Sequence, residues 1–370
     1  MAAYVLRRLL LMITTLLGIM VLNFVVINAA PGGPVEQVLA KVKGTDVQAT
    51  ARLGGGAAGE AGAGRPLPPG GSAATAGKYH GAQGIDPEFI RQLERQFGFD
   101  KPAHERFLLM VGKFVRFDFG QSFFRDKSVS SLVLERMAVS ISLGLWTTLL
   151  VHLVSIPLGI AKAVRDGSRF DVWTSGLVVV GNAIPGFLFA ILLVIVFAGG
   201  RYLSWFPLRG LVSDDFDSLS PLGKVTDYLW HMTLPVLSMV IGGFAGLTLL
   251  TKNSFLEQIH QQYVTTARAK GVSERRILYG HVFRNAMLIV ISGFPGALLG
   301  ILFTGALLTE VIFSLDGLGL LGFEAAINRD YPVMFGTLWF FTLLGLVVKL
   351  VEDLTYVVVD PRIDFESRDV

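Results

Sequence analysis

Residue patterns that could carry out catalysis are missing from this 370-residue sequence. No stretch matches the nucleotide-binding patterns GxxxxGKS or GxxxxGKT, and the Gly-Lys-Val at Gly223–Val225 lacks the preceding glycine. No HExxH zinc pattern is present, and the absence of cysteine excludes thiol nucleophiles and thiolate metal sites. The sequence therefore predicts that the chain is not an enzyme and holds neither a cofactor nor a metal ion.

Five ionisable side chains lie in or near apolar stretches. Lys349, Glu352 and Asp353 stand at positions i, i+3 and i+4, so a helix would place them on one face. Such charges within a membrane indicate an ion or proton relay. We favour the alternative, in which a helix beginning at residue 333 reaches the membrane edge after about 20 residues. His152 and His231 are isolated, which favours hydrogen-bonded buried histidines over metal ligands.

The composition indicates a membrane protein. Hydrophobic residues make up 52% of the chain and charged residues 16%. The mean hydropathy is +0.57, and the apolar residues occur in long runs. The net charge of +3 is too balanced to indicate a nucleic-acid partner. The predicted fold class is therefore an all-α polytopic membrane protein.

Six apolar segments could cross a bilayer. The first is the uncharged stretch over residues 9–35, and the others are 137–161, 172–200, 230–251, 285–309 and 331 onward. A cleaved signal peptide is the alternative for the first, because Asn28-Ala29-Ala30 resembles a cleavage site. Its run of about 20 strongly apolar residues favours an uncleaved helix. Residues 1–30 are therefore predicted to be the N-terminus and the first transmembrane helix.

The distribution of basic residues predicts the orientation of these spans. Thirteen Lys and Arg residues fall in the short segments on one side of the six-span arrangement and four on the other. Short segments rich in Lys and Arg stay in the cytoplasm, so we expect both termini to be cytoplasmic.

The longest hydrophilic interval, residues 31–136, is predicted to lie on the outer face. Residues 53–84 are dominated by Gly, Ala and Pro, a composition typical of a disordered linker. Residues 85–136 contain amphipathic stretches that predict a small helical cap. The remaining residues, 137–370, are predicted to form a five-helix core.

Prolines interrupt several spans. Pro157, Pro235 and Pro295 free backbone carbonyl groups, which lipid cannot satisfy, so these helices either pack on one another or line a watery path. Asn182 and Pro185 break the third span midway, as in helices that line a transport pathway. A packing kink is the alternative for this break, so the two residues are only candidates for lining a pathway.

Residues 252–285, here called the central loop, form a basic segment between two apolar runs, with six basic residues and two acidic ones. Two helices are predicted in it, one over 256–270 and one from Arg275 onward. Gly271 is expected to end the first helix in a left-handed conformation, and Ser273 to cap the second. Such an element suits docking onto a partner, whereas the alternative is a basic loop held near anionic lipid.

The run TARAKGVSERRILYGHVFRNA over residues 266–286 resembles the cytoplasmic loop of binding-protein-dependent ABC importer permeases of the dipeptide and oligopeptide branch. When Gly271 is aligned, Thr265, Thr266 and Ala267 fall on the family's EAA triplet, of which only Ala267 matches. FDFGQSF, EVIFSLDGLGLLG, NRDYPVM and VDPRI elsewhere also resemble this branch. The Gly/Ala insert, SRFDVW, FPLRGLVS and DPRIDFE most resemble the Yej-type permeases, associated with oligopeptides and the peptide-nucleotide antibiotic microcin C.

The resemblance implies a type I ABC importer permease in the bacterial inner membrane that moves peptides inward by alternating access. Implied partners are a second homologous permease, cytoplasmic ATPase subunits, a periplasmic peptide-binding protein and membrane lipid. Apolar knobs and basic residues would engage the ATPase; the candidates from the central loop are Val264, Thr265, Thr266, Ala267, Arg268, Ala269, Lys270, Gly271, Val272, Arg275, Arg276 and Ile277. A secondary transporter or channel working alone is the main alternative, and an intramembrane enzyme is the third.

Overall fold

A computed structural model describes residues 2–29, 88, 101–200, 202–300 and 307–359 of the chain. Within these ranges the regular structure is helical, apart from one isolated antiparallel bridge between Gln121 and Ser128. The predicted all-α fold class is therefore confirmed. The predicted linker over 53–84 lies outside the described residues.

The helices are α1 (Ala2–Ala29), α2 (Ala103–Val115), α3 (Val129–Val164), α4 (Arg169–Ala183), α5 (Gly186–Phe197), α6 (Pro221–Ile259), α7 (Gln262–Ala269), α8 (Glu274–Arg276), α9 (Phe283–Ala286), α10 (Leu288–Gly300), α11 (Leu307–Ile312), α12 (Leu318–Ile327) and α13 (Tyr331–Val359). A 3₁₀ turn covers Phe216–Ser218, and a π-helical segment, Ile277–Val282, joins α8 to α9.

The long helices correspond to the predicted spans. Among the helices that the structure describes, four are long and apolar enough to cross a membrane, namely Tyr4–Val26 within α1 and the spans in α3, α6 and α13. The count reaches six when each of two bent helix pairs is taken as one span. The helices α3 and α6 are longer than the predicted second and fourth spans because their polar ends continue the helix. Ser220 starts α6 by accepting a hydrogen bond from the Gly223 N–H, at 3.2 Å.

The chain divides into two compact units. The larger unit takes residues 1–8, 135–320 and 344–370, and the smaller takes 9–134 and 321–343. One apolar core of the larger unit joins α3, α5 and α6 and includes Leu143, Ala190 and Leu234. A second core, described below, lies beneath the central loop.

In the larger unit, α3 and α6 approach each other at two glycines. A Cβ atom on Gly159 of α3 would lie 2.6 Å from the Cβ atom of Thr251 on α6. A Cβ atom on Gly243 of α6 would lie 2.8 Å from Cγ2 of Val151 on α3. Small residues at a membrane-helix crossing let the two backbones pack closely, so these glycines fix the α3–α6 contact.

The smaller unit is organised around Asp330, just before α13. Its carboxylate accepts hydrogen bonds from the hydroxyl of Ser122 and from the Phe123 N–H, the latter at 3.2 Å. Burial raises the pKa of the Asp330 carboxyl, and these hydrogen bonds oppose the rise. Arg125 pairs with Glu324 beside them. These bonds join the segment after α2 to the loop before α13.

An aromatic cluster completes the smaller unit, in which Phe114, Phe117 and Phe119 surround Trp339 of α13. The helix α2 (Ala103–Val115) lies within the predicted cap region, residues 85–136. The end of the predicted cap region, from Val129 on, is instead the beginning of α3, because the helix continues outward from the apolar span.

Candidate functional site

The central loop begins inside α6 and changes direction at His260. The helix predicted over 256–270 is wrong in its extent, because α6 ends at Ile259 and α7 covers only Gln262–Ala269. Gln261 between them has extended backbone, with φ −72° and ψ 151°. This turn lets Val264 of α7 pack into the same core as Phe255 of α6, and both side chains are fully buried.

Gly271 ends α7 in a left-handed conformation with φ +76°, as predicted. Its N–H donates to the carbonyl of Arg268 at 2.9 Å, and the N–H of Val272 donates to the carbonyl of Ala267 at 3.2 Å. This pair of bonds is the Schellman arrangement that commonly closes a helix at glycine. Ser273 occupies the N-cap position of α8, but the predicted side-chain capping bond is absent there.

The candidate docking residues divide into two groups by exposure. Val264 and Ile277 are buried in the chain's own core, while Ala267 and Val272 pack partly buried against it. The interpretation of Val264 and Ile277 as knobs that reach a partner is therefore corrected: in this structure they hold the loop onto the ends of α3 and α6. The exposed candidates are Thr265, Thr266, Arg268, Ala269, Lys270, Gly271, Arg275 and Arg276.

A bidentate ion pair crosses the turn at Gly271. Arg268 on α7 donates to both carboxylate oxygens of Glu274 on α8, at 2.7 and 3.1 Å. Both side chains are exposed, so the pair contributes little to stability. The exposed Lys270, Arg275 and Arg276 add three positive charges to this surface.

The far side of the loop is fastened to α6 before the chain enters α10. The hydroxyl of Ser254 donates to the carbonyl of Ala286 at 2.7 Å, and the rings of Phe255 and Phe283 meet edge to face with centroids 5.9 Å apart. The helix axis then bends by 47° between Ala286 and Leu288. The central loop is thus a packed element held at both ends.

A network of buried charges lies where α3, α4 and α6 meet. Lys162 is fully buried, and its Nζ lies 3.0 Å from Oδ1 of Asp171. The same Nζ donates to the Asp171 carbonyl at 3.0 Å, to Thr174 Oγ1 at 3.0 Å and to Ser175 Oγ at 2.6 Å.

Lys252 of α6 completes this network. Its Nζ lies 2.7 Å from Oδ2 of Asp171 and 2.8 Å from Oδ1 of Asp166. Ser168 caps α4 by accepting a bond from the Asp171 N–H at 3.3 Å, and the Gly167 N–H donates to Asp171 Oδ2 at 3.2 Å. Because buried charges are costly unless paired, this arrangement fixes α4 against α3 and α6.

The predicted interruption of the third span is observed. The helices α4 and α5 meet at Ile184–Pro185 with a bend of 88°. Pro185 stands at the N-cap of α5, where it has no N–H to satisfy. Pro157, Pro235 and Pro295 instead lie inside continuous helices.

A cavity of about 870 Å³ opens in the larger unit beside the start of α5. Its polar lining residues are Thr147, Thr148, His152, Ser238 and Thr309, and the others are apolar side chains or glycines. No Asp, Glu, Lys or Arg is among the described residues that line it. The volume lies within the range of about 300–1,000 Å³ that is usual for small-ligand sites.

The candidate pathway residues stand next to this cavity. Gly186 and Phe187 line it, whereas Asn182 and Pro185 are not among its lining residues. A pathway role for Asn182 and Pro185 therefore stays a prediction. His152 Nδ1 lies 2.8 Å from the carbonyl of Thr148, which agrees with a hydrogen-bonded histidine.

A buried glutamate explains the glycines of the EVIFSLDGLGLLG motif. Glu310 accepts hydrogen bonds from the hydroxyl of Ser140 at 3.0 Å and from the Leu320 N–H at 2.7 Å. A Cβ atom on Gly317 would overlap the Glu310 carboxylate, and one on Gly319 would lie 3.1 Å from its Oε2. The motif therefore folds as a tight turn around a fixed carboxylate.

The charges near the end of α13 form separate pairs. Lys349 lies 3.1 Å from Glu352, as the spacing predicts. Asp353 pairs instead with Arg8 at 2.7 Å and accepts a hydrogen bond from Tyr4 at 2.9 Å. These contacts tie α1 to α13, which favours the structural interpretation over a relay.

The family model described as "Binding-protein-dependent transport system inner membrane component" matches residues 155–365, more than half of the chain. That range contains the central loop, the broken third span and the charge network. The chain belongs to this family of membrane permeases. The prediction that the chain is a non-catalytic permease subunit of an ABC transporter is confirmed by this family and by the relatives that match the chain.

Two relatives match the whole chain. The "Peptidoglycan transport system permease protein YejB" of Agrobacterium fabrum (strain C58) is 58% identical over 372 residues and covers 100% of both chains. The "Inner membrane ABC transporter permease protein YejB" of Escherichia coli O157:H7 is 57% identical over 368 residues, again with 100% of both chains. The predicted resemblance to the Yej-type permeases is therefore confirmed.

A third relative is more distant. The "Oligopeptide transport system permease protein AppB" of Bacillus subtilis (strain 168) is 32% identical over 371 residues, covering 99% of this chain and 100% of the relative. The similarity therefore extends over the full length, in agreement with the motifs found in all parts of the sequence.

The charge network was missed by sequence reasoning. In the sequence, Lys162 and Lys252 stand out only as basic residues that indicate membrane orientation, and Asp171 only as part of SRFDVW. A signal was present, because Ser168 followed three residues later by Asp171 is a capping pattern at a helix start. Lys252 lies 81 residues further along the chain, so spacing alone could not join it to Asp171.

Proposed function

We propose that this chain is the permease of an ATP-driven importer that carries oligopeptides or peptide-like compounds from the periplasm to the cytoplasm. The observation that carries the proposal is the full-length match to permeases named for peptidoglycan and oligopeptide transport. The absence of a nucleotide-binding pattern fits a permease driven by separate ATPase subunits.

The cavity beside α5 would form this subunit's part of the transport pathway. Its wall combines hydroxyl groups, one histidine and apolar surface, and the described lining has no carboxylate, lysine or arginine. Such a wall can accept a peptide backbone through hydrogen bonds without selecting for side-chain charge. A second, homologous permease would supply the opposite wall, and alternating access would open the pathway to each side in turn.

The central loop would dock onto the ATPase subunits. Its exposed basic face, including Arg268, Lys270, Arg275 and Arg276, would give electrostatic registration against the partner. Its buried residues Val264 and Ile277 would carry movement of the loop into α3 and α6. A periplasmic peptide-binding protein would deliver the cargo at the opposite membrane face.

The basic residues of the central loop also orient the protein in the bacterial inner membrane. With the central loop and both termini in the cytoplasm, the segment between α1 and α3 would face the periplasm. This orientation places the ATPase on the basic side and the binding protein on the other.

Three cargo classes follow from the relatives and from the motif resemblance. Oligopeptides and peptidoglycan fragments are supported by the names of two relatives. Microcin C, a peptide linked to a nucleotide, is the third candidate. All three contain a peptide backbone, the group that hydroxyl side chains of the cavity can bind.

The direct test is transport by the reconstituted complex. The permease, its sister permease and the ATPase subunits would be reconstituted in liposomes. ATP would be supplied on the ATPase side of the membrane, and binding protein and labelled peptide on the opposite side. We expect ATP-dependent peptide uptake. Matched cargoes are a tripeptide, a peptidoglycan-derived peptide and a peptide-nucleotide conjugate, and uptake of none of them would contradict the proposal. Transport of peptide without ATPase subunits would favour a stand-alone transporter.

A further inference from the structure

Asp171 binds two lysines that come from different helices. Lys162 at the end of α3 lies 3.0 Å from one carboxylate oxygen, and Lys252 of α6 lies 2.7 Å from the other. The side chains of Lys162, Asp171 and Lys252 are 0%, 8% and 14% exposed. The Asp171 carboxylate is therefore a buried junction between three helices.

The two lysines make different kinds of contact. Lys162 has a complete set of nearby acceptors on α4, namely the Asp171 carboxylate and carbonyl and the hydroxyls of Thr174 and Ser175. It is thus an internal anchor between α3 and α4. Lys252 instead bridges Asp171 and the half-exposed Asp166, and it is the member of the network that comes from α6.

The positions of these residues connect two parts of the proposed transporter. Lys252 opens the central loop, and the helix continues from it to Ile259, just before α7. Asp171 lies in the first turn of α4, which leads through the 88° bend into α5. The first two residues of α5, Gly186 and Phe187, line the 870 Å³ cavity.

We propose that Lys252 and Asp171 are positioning residues that link movement of the central loop to the wall of the cavity. Displacement of α7 moves the end of α6, and the ion pair carries that movement into α4 and through the bend into α5. The inference rests on the proposed function, in which the loop docks onto an ATPase. It adds the contact by which this movement reaches the pathway.

Lys252→Met is the variant that tests the link. Methionine keeps much of the side-chain volume but has no charge, and Asp171 retains Lys162 as its partner. The fold is thereby spared the isolated buried carboxylate that would strongly destabilise it. Lys252→Arg keeps the charge and serves as the conservative rescue, and Lys349→Met removes a lysine from an ion pair on α13 as the matched control.

The readout is the ratio of peptide imported to ATP hydrolysed in reconstituted complexes of equal subunit content. We expect Lys252→Met to keep basal ATP hydrolysis but to lower the ratio of peptide imported to ATP hydrolysed by about five-fold or more. A change of this size is typical for coupling between two sites. Lys252→Arg should restore the ratio, and Lys349→Met should match the unmodified chain. A purely structural role would change the amount of assembled complex but not the ratio per complex.

The outcomes distinguish failure of the link between Lys252 and Asp171 from failure of the proposed function. An unchanged ratio in Lys252→Met overturns the link while peptide import by the unmodified complex upholds the function. Absence of ATP-driven import by the unmodified complex contradicts the function, and the link with it. If Lys252→Met does not assemble, Lys252→Gln takes its place, because it also removes the charge that pairs with Asp171 but leaves a polar group in the network: a lower ratio supports the link, and an unchanged ratio overturns it.

Discussion

Gly159 of α3 faces Thr251 of α6 so closely that a Cβ atom on the glycine would lie 2.6 Å from the threonine Cβ. It would also lie 2.9 Å from the carbonyl oxygen of Thr248. Neither neighbour is the flexible end of a long side chain, so the helices themselves would have to separate. The close approach stands directly beside Lys252, where the central loop begins.

Gly159→Ala should therefore destabilise the contact between α3 and α6. Overpacking of a tight site costs about 1–3 kcal/mol, which lowers the unfolding temperature of the purified permease in detergent. Gly176→Ala on α4 is the matched control, because no atom lies within 4 Å of a Cβ atom at that glycine. Equal unfolding temperatures for the two variants would show that the helices separate without cost.

Gly317→Ala should disturb the turn that holds Glu310. The new methyl group would occupy the volume of the carboxylate, which must then leave its hydrogen bonds to Ser140 and Leu320. A buried carboxylate without partners is costly, so we expect a lower yield of folded permease, measured by size-exclusion chromatography. Gly322→Ala, where no atom lies within 4 Å, should give the normal yield. Normal yield from both would contradict the structural role of Glu310.

Arg275→Glu combined with Arg276→Glu should weaken binding to the ATPase subunits. Both arginines are exposed on the central loop, so their attraction to a partner is screened by salt. The loss of binding, measured by co-purification, should be large at low salt and shrink at high salt. Arg209→Glu lies outside the loop and should leave binding unchanged. Equal loss at every salt concentration would mean that the reversal disrupts the fold instead.

Cysteine labelling tests the orientation. The chain has no native cysteine, so a single introduced cysteine reports its own side of the membrane. In cells with a permeabilised outer membrane and an intact inner membrane, a reagent that does not cross the inner membrane should label Gly70→Cys but not Gly271→Cys. After cell lysis it should label both. Labelling of Gly271→Cys before lysis would place the central loop outside.

The sequence predicted the elements whose signals are local. Gly271 as a helix end, the break at Pro185 and the start of α13 at Tyr331 all follow from residues within a few positions of each other. The left-handed φ of +76° at Gly271 is a conformation that glycine adopts without steric cost and that other residues rarely adopt. Family resemblance in the same loop identified the class of protein.

Features that depend on distant parts of the chain were not predictable from spacing. The burial of Val264 follows from its packing with Ile160 and Phe255, which belong to two other helices. The pairing of Asp353 with Arg8 joins the two ends of the sequence, whereas helical spacing favours Lys349. In both cases tertiary packing decides which partner a side chain meets.

Gly271→Val tests the central claim that the loop passes force between the ATPase and the spans. A β-branched residue at φ +76° costs about 1–2 kcal/mol, which the loop can relieve by tilting α8 away from its docked position. No atom lies within 4 Å of a Cβ atom at this glycine, so the effect comes from the backbone and not from a clash. Gly271→Asn, which tolerates this conformation better, is the matched control.

The measurement is ATP hydrolysis by the reconstituted complex, with and without peptide-loaded binding protein, for the unmodified chain beside Gly271→Val and Gly271→Asn. Membrane insertion and pairing with the sister permease should be the same for all three. We expect loaded binding protein to stimulate hydrolysis in the unmodified and asparagine forms and to fail in the valine form. Equal stimulation in all three would mean that the central loop is a membrane-surface tether and not the coupling element.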